Sequence, residues 1–218
     1  MRKLFLDIET IPAGEKLPPE EIPVPGNYSK PEAIAKYQQE NVEVEFRKRA
    51  VITYKSRIIC ICWAFDDEPV QGLFIDSTDP NQDLAEHNLV YGFISRISGT
   101  EELRHDLLAT EVIGHNVLFD LKTIVQRCYK YGIHCPGLTT LHAYSNRIVD
   151  TMKLFTLGDR QDLVSLDNVA KFLGLNETKS MKGSEVYDTY LNNEFDKILD
   201  YCKQDVNLTR TVYTHLNV

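Results

Sequence analysis

Residues 3–10, Lys-Leu-Phe-Leu-Asp-Ile-Glu-Thr, constrain this chain more than any other stretch. Leu4, Leu6 and Ile8 alternate with Phe5, Asp7 and Glu9, and a strand sends successive side chains to opposite faces. Both faces are apolar before the acids begin, the pattern of a central strand covered on both sides. Asp7 and Glu9 fall on one face, roughly 6.6 Å apart along the strand. Two carboxylates at the end of such a strand are costly to bury unless they are paired or bind a metal. The alternative is a strand tip that has reached solvent, and Asp-x-Glu alone does not decide between the two.

The chain has 218 residues and is 43% hydrophobic, which suits one substantial core. No apolar run approaches about 18 residues, so no transmembrane helix and no membrane partner are expected. The opening Met-Arg-Lys-Leu-Phe-Leu-Asp meets an acid too soon to read as a signal peptide. The five cysteines show neither Cys-x-x-Cys nor zinc spacing, and read as reduced thiols in a cytoplasmic protein. A net charge of −8 argues against coating nucleic acid electrostatically. It leaves room for an enzyme that grips only a strand end, because bound metal ions would offset acids in the site.

Along the chain, six prolines between residues 11 and 31 predict an extended loop. Ser29-Lys30-Pro31-Glu32 resembles a capping box and precedes a helix over 32–50. In that helix Ala33, Ile34, Tyr37 and Val44 share one arc, while Val42 and Phe46 lie on another side. Residues 11–55 read as a loop–helix insertion within a single 1–218 domain, either a lid or, the reading favoured, packed decoration. Strands are predicted over 57–65 and 70–75, completing a three-stranded meander with 3–9, and over 111–115 and 147–149. Helices are predicted over 81–97, 100–109, 119–131 (stopped at Gly132), 165–173, 184–191 and 193–216.

Three short motifs stand out: Asp7-Ile8-Glu9-Thr10; Gly114-His115-Asn116-Val117-Leu118-Phe119-Asp120; and Tyr201-Cys202-Lys203-Gln204-Asp205. Asp120 falls in a first helical turn, where the dipole favours a carboxylate. It either serves a site or only stabilises the helix, and Asn116 either serves the site or caps the helix. Tyr201 and Asp205, four apart, share a helix face at the edge of the apolar stripe.

In this order and on these elements, the motifs resemble those of the DEDD 3′–5′ exonuclease superfamily in its tyrosine subclass. The stretch 165–211 is similar to the proofreading domains of family-B DNA polymerases and to stand-alone bacterial and phage proteins predicted to be related to them. The resemblance covers residues 3–10 and about 111–216, and leaves out the 11–55 insertion. It implies an α/β, RNase H-like (DnaQ-like exonuclease) fold, a mixed five-stranded sheet flanked by helices. It implies that Asp7, Glu9, Asp120 and Asp205 hold two Mg²⁺ or Mn²⁺ ions. Tyr201 would orient, and help deprotonate, the attacking water. Asn116 and Phe119 would lie near the substrate strand, and Thr10 beside the terminal nucleotide. The histidine subclass would carry a histidine five residues before the last acid, where this chain has Asp200. The substrate implied is a single-stranded 3′ end, DNA before RNA. The rival readings are an RNA 3′-end trimming enzyme and a catalytically silent binding module. The chemistry agrees, since two divalent ions about 3.5–4 Å apart serve both the attacking and the leaving oxygen of a phosphodiester, and oxygen ligands suit Mg²⁺ or Mn²⁺. Among other polar residues, His115 reads as a structural hydrogen-bonder, Asp150 as a helix cap, Lys179 and Lys182 as solvated loop lysines, and Tyr37 as packing rather than base stacking.

Overall fold

In this computed structural model, which describes residues 2–98, 110–142, 145–159, 161–175 and 180–217, the opening alternation becomes strand β1 (Arg2–Pro12). The other strands are β2 (Ser56–Phe65), β3 (Gln71–Phe74), β4 (Thr110–Gly114) and β5 (Ile148–Asp150). They form one five-stranded sheet in the order β3-β2-β1-β4-β5. β4 runs parallel to β1 and β5 parallel to β4, while β3 is antiparallel to β2. The Asp66 N–H donates to the Lys3 carbonyl at one end of the β1–β2 pair, and the Ala13 N–H to the Lys55 carbonyl at the other. β1 and β2 are therefore antiparallel, and the sheet is the mixed one that the sequence implies. Every residue of β2 from Ile58 to Phe65 is buried, as its unbroken apolar run requires of a strand covered on both faces.

Eight α-helices accompany the sheet among the described residues: α1 (Pro31–Arg47), α2 (Gln82–Ser98), α3 (Val117–Tyr131), α4 (Pro136–Thr139), α5 (Thr151–Phe155), α6 (Leu166–Phe172), α7 (Val186–Leu191) and α8 (Phe195–Leu216). α8 buries Ile198, Cys202, Val206, Thr209 and Val212, the stripe its periodicity predicts. α6 starts where the Ser165 hydroxyl accepts the Asn168 N–H and packs Leu166, Val169 and Ala170 against Leu208 and Val212. A buried carboxylate ties α2 to both β2 and α3. Glu86, 1% exposed, accepts the Ile58 N–H at 2.8 Å, the Arg127 Nε–H at 2.7 Å and the Tyr131 hydroxyl at 2.7 Å. A charge this deep is tolerated because its lone pairs are taken and its partner is a cation.

The chain divides into two compact units, Met1–Glu9 with Ile58–Val218, and Thr10–Arg57. Within the second, Gln38 donates to the carbonyls of Glu20 and Ile22, Arg49 to those of Ala13 and Glu15, and the Tyr28 and Tyr37 rings lie 4.8 Å apart. Several expectations change here. The strand continues through Ile11 to Pro12, which sits at a strand end where a missing N–H is tolerated. α1 begins at Pro31 with Lys30 in the cap position and no side-chain capping bond, so the Ser29–Glu32 box does not form. Proline at the first helical position has no N–H to satisfy. Val44 is exposed and Phe46 buried, the reverse of the predicted arc. α3 starts two residues early, the helix over 184–191 opens with a 3-10 turn at Gly183–Glu185, and α4 and α5 are too short to show periodicity. The helix predicted over 100–109 lies outside the described residues.

Gly114 closes β4 where three elements crowd together. A Cβ there would fall 2.8 Å from Val117 Cβ and 2.9 Å from the Leu6 carbonyl oxygen. Backbone cannot yield as a flexible side-chain end does, so Gly114→Ala is expected to destabilise the protein by about 1–3 kcal/mol in chemical denaturation. Unchanged stability would show that β1 and α3 do not approach as closely as described.

Candidate active site

β1 outruns its parallel partner. Phe5 pairs with Ile113, and β4 ends one residue later at Gly114. Beyond that point the Ile8 N–H is accepted by the carboxylate of Asp120, the fourth residue of α3. The second motif is thereby fastened between the two acids of the first. The two-residue passage from β4 into α3 is fixed on both sides. The two ring nitrogens of His115 lie 3.0 Å from the Thr151 hydroxyl oxygen and 2.8 Å from the Val164 carbonyl oxygen. Asn116 is left-handed, at φ 61° and ψ 33°, a conformation asparagine tolerates better than most residues. Its N–H donates to Asp150 Oδ1 at 2.9 Å, and the same oxygen accepts the Met152 N–H that starts α5. His115 and Asp150 thus have the structural roles read from the sequence. Asn116 holds the cap position of α3 without a side-chain capping bond, and its exposed side chain lines a cleft.

The third motif arrives on α8. Tyr201 and Asp205 are 5% and 7% exposed, and one helical turn brings the Tyr201 hydroxyl to donate to the Asp205 carboxylate. Carboxylate oxygens of Asp7 and Glu9 and the Cys202 Sγ lie within 4.8 Å of one another. The Cys202 thiol donates to Asp7 Oδ2 at 3.4 Å. A cleft of about 370 Å³ is lined by Asp7, Asp205, Asn116, Met152, Leu163 and Leu166, together with His115, Val164 and Ser165.

Burial, and then the negative charges of Glu9, Asp205 and Asp120, hold the Asp7 carboxyl well above the ordinary carboxylate range. Burial also raises Asp120, aided by the charge of Asp150 and opposed by its backbone N–H bonds. The Tyr201 hydroxyl is pushed up by burial first, then by Asp205, Glu9 and Asp7. Asp7 thus stands among acids whose charges oppose its ionisation, an oxygen-rich donor set that divalent cations would neutralise. That donor set suits Mg²⁺ or Mn²⁺ rather than a thiophilic metal.

Other residues singled out in the sequence do not line this cleft. Thr10 follows Glu9 on β1, with its hydroxyl donating to the Ala50 carbonyl at 2.7 Å. Phe119 is half-buried and is not among the described residues that line the cleft. Lys182 is exposed, and Lys179 lies outside the described residues. Cys202, Met152 and Leu163 are among the contributors that were missed. Cys202 counted only as an apolar position on the inner stripe of α8, and Met152 and Leu163 belong to segments without usable periodicity.

The model of the family described as "predicted 3′–5′ exonuclease related to the exonuclease domain of PolB" matches residues 51–218. Its span includes Asp120, Tyr201 and Asp205; Asp7 and Glu9 precede it and are brought to them by the fold. The mixed sheet with its flanking helices is consistent with the RNase H-like exonuclease fold of that family. No curated protein matches the chain. No helix among the described residues is long and apolar enough to cross a membrane.

The raised Asp7 carboxyl has a thermodynamic consequence. The folded protein favours its protonated form, so its contribution to stability is fully present below the unfolded value near 3.8 and is lost as pH rises through the raised folded value. In chelator at neutral pH, Asp7→Asn should therefore be more stable than the parent by about 1–3 kcal/mol, or roughly 2–10 °C in Tm. The gap should close as pH falls toward 4. Added Mn²⁺ should raise the parent's Tm and leave the variant's nearly unmoved. A variant less stable than the parent in chelator at every pH would contradict this electrostatic account.

Proposed function

Because the chain belongs to the family of predicted 3′–5′ exonucleases related to the exonuclease domain of PolB, we propose that it removes nucleoside 5′-monophosphates one at a time from the 3′ end of a single strand. The observation that carries this reading is that Asp7 and Glu9 bring carboxylate oxygens within 4.8 Å of each other, while the charges of Glu9, Asp205 and Asp120, from three separate elements, all act on Asp7. These four acids would hold two divalent ions, Mg²⁺ or Mn²⁺. When bound, the ions supply an activated water and a stabilised leaving oxygen.

The chain's own groups do the rest. Asp120 accepts the Ile8 N–H, which ties the start of α3 to the strand that carries Asp7 and Glu9. Tyr201 is held protonated by burial and by the surrounding acids. Its hydroxyl would orient the attacking water as a hydrogen-bonding group. On this reading the chain falls in the tyrosine subclass of the DEDD exonucleases. Met152 and the exposed Leu163 offer apolar contact to a terminal base or sugar, and Asn116 offers a polar one. Thr10 and Phe119 keep the substrate-side roles implied by the resemblance.

The preference for DNA over RNA rests on the family's relation to the exonuclease domain of PolB. We read residues 1–218 as a single exonuclease domain with an insertion at about 11–55. We also read it as cytoplasmic, in keeping with five cysteines that are free thiols.

Digestion of matched 5′-labelled single-stranded DNA and RNA with Mg²⁺ or Mn²⁺ tests the proposal. The expected product is a ladder shortening by single nucleotides from the 3′ end, faster on DNA, abolished by EDTA and resisted by a blocked 3′ end. Tyr201→Phe should keep metal and strand-end binding while kcat falls by about 10²–10⁴-fold. Cleavage of a closed single-stranded circle would overturn the exonuclease reading, and full activity in Tyr201→Phe would remove Tyr201 from the mechanism.

A further inference from the structure

Cys60, Cys62 and Cys202 have no assigned step in phosphodiester cleavage, yet they meet. Strand alternation places Cys60 and Cys62 on one face of β2, and α8 brings Cys202 against that face. The three Sγ atoms lie within 4.8 Å of one another, with Cys60 and Cys62 sulfurs 3.8 Å apart. All three residues are fully buried. A zinc ion bound tetrahedrally, about 2.3 Å from each sulfur, spaces neighbouring sulfurs about 3.8 Å apart. The trio therefore stands close to liganding distances with the backbone as it is.

We propose that Cys60, Cys62 and Cys202 form a second metal site, distinct from the carboxylate set, which takes one thiophilic cation such as Zn²⁺ through three thiolates. On binding, the three thiols release their protons to solvent as the metal–sulfur bonds form. One Zn²⁺ with three thiolates leaves a net charge of −1 in the interior. The side chain of Lys203 passes beside Cys62, because a Cβ placed on Gly72 would meet Cys62 Sγ at 2.8 Å and Lys203 Cε at 3.3 Å. That ammonium is placed to offset the residual charge. The route in is through the cleft, since Cys202 Sγ touches Asp7 Oδ2, and Asp7 lines the cleft. Thiolates select soft cations and carboxylates hard ones, so two adjoining sites can hold different metals. The inference does not depend on the nuclease reading.

X-ray absorption on the full chain, reduced, stripped with chelator and reloaded with one equivalent of Zn²⁺, tests it. The expected first shell contains three sulfurs at about 2.3 Å. With one equivalent of Cd²⁺ in its place, a thiolate-to-metal charge-transfer band should appear in the ultraviolet. The band should vanish in Cys60→Ala/Cys62→Ala and persist in Asp120→Asn, which alters only the carboxylate set. A first shell of oxygen and nitrogen alone, or a Cd²⁺ band unchanged in the double variant, would overturn the proposal. If the double variant does not fold, the sulfur count in the parent protein decides by itself.

Discussion

A hydrogen bond from the Ile8 N–H to the carboxylate of Asp120 ties β1 to the start of α3. A parallel strand that outruns its neighbour leaves backbone donors without ladder partners, and buried donors must be satisfied. Here the partner is an acid from the helix that follows the shorter strand. The same contact brings Asp120 to the backbone between Asp7 and Glu9 in the chain. Gly114 permits it by letting β1, β4 and the start of α3 close together, and the left-handed Asn116 turns the chain in the space of two residues. Fold and site are here one piece of geometry.

The arrangement works against stability in the absence of cations. Asp7 and Asp120 are desolvated, and the charges acting most strongly on Asp7 are those of other acids. What holds the frame lies elsewhere. β2 is buried along nearly its whole length, α8 packs a full apolar stripe, and Glu86 joins β2, α2 and α3 through three hydrogen bonds. Functional sites commonly carry such local conflicts, supported by consistency in the rest of the chain.

The sequence was legible where periodicity or a motif spoke alone. The alternation of residues 3–10 identified β1 and the shared face of Asp7 and Glu9. The stripe of α8 placed Tyr201 and Asp205 together at its edge, and Ser165 marked the start of α6. Tertiary context decided the rest. Nothing local says that Asp120 accepts a strand N–H, that Phe46 rather than Val44 is buried, or that Cys202 faces Asp7. Helices of four or five residues such as α4 and α5 carry no period to read, and the side chains that line the cleft from 152 to 166 come from loops and helix ends.

We propose that Asp7, Glu9, Asp120 and Asp205 act together as one receptor for two divalent cations. Electron paramagnetic resonance of Mn²⁺, titrated into the full chain without nucleic acid, counts bound ions against free ones. The account predicts that the parent takes up two ions per chain and that Asp205→Asn takes up fewer. A parent that binds no Mn²⁺, or an Asp205→Asn variant with unaltered stoichiometry and affinity, would contradict it.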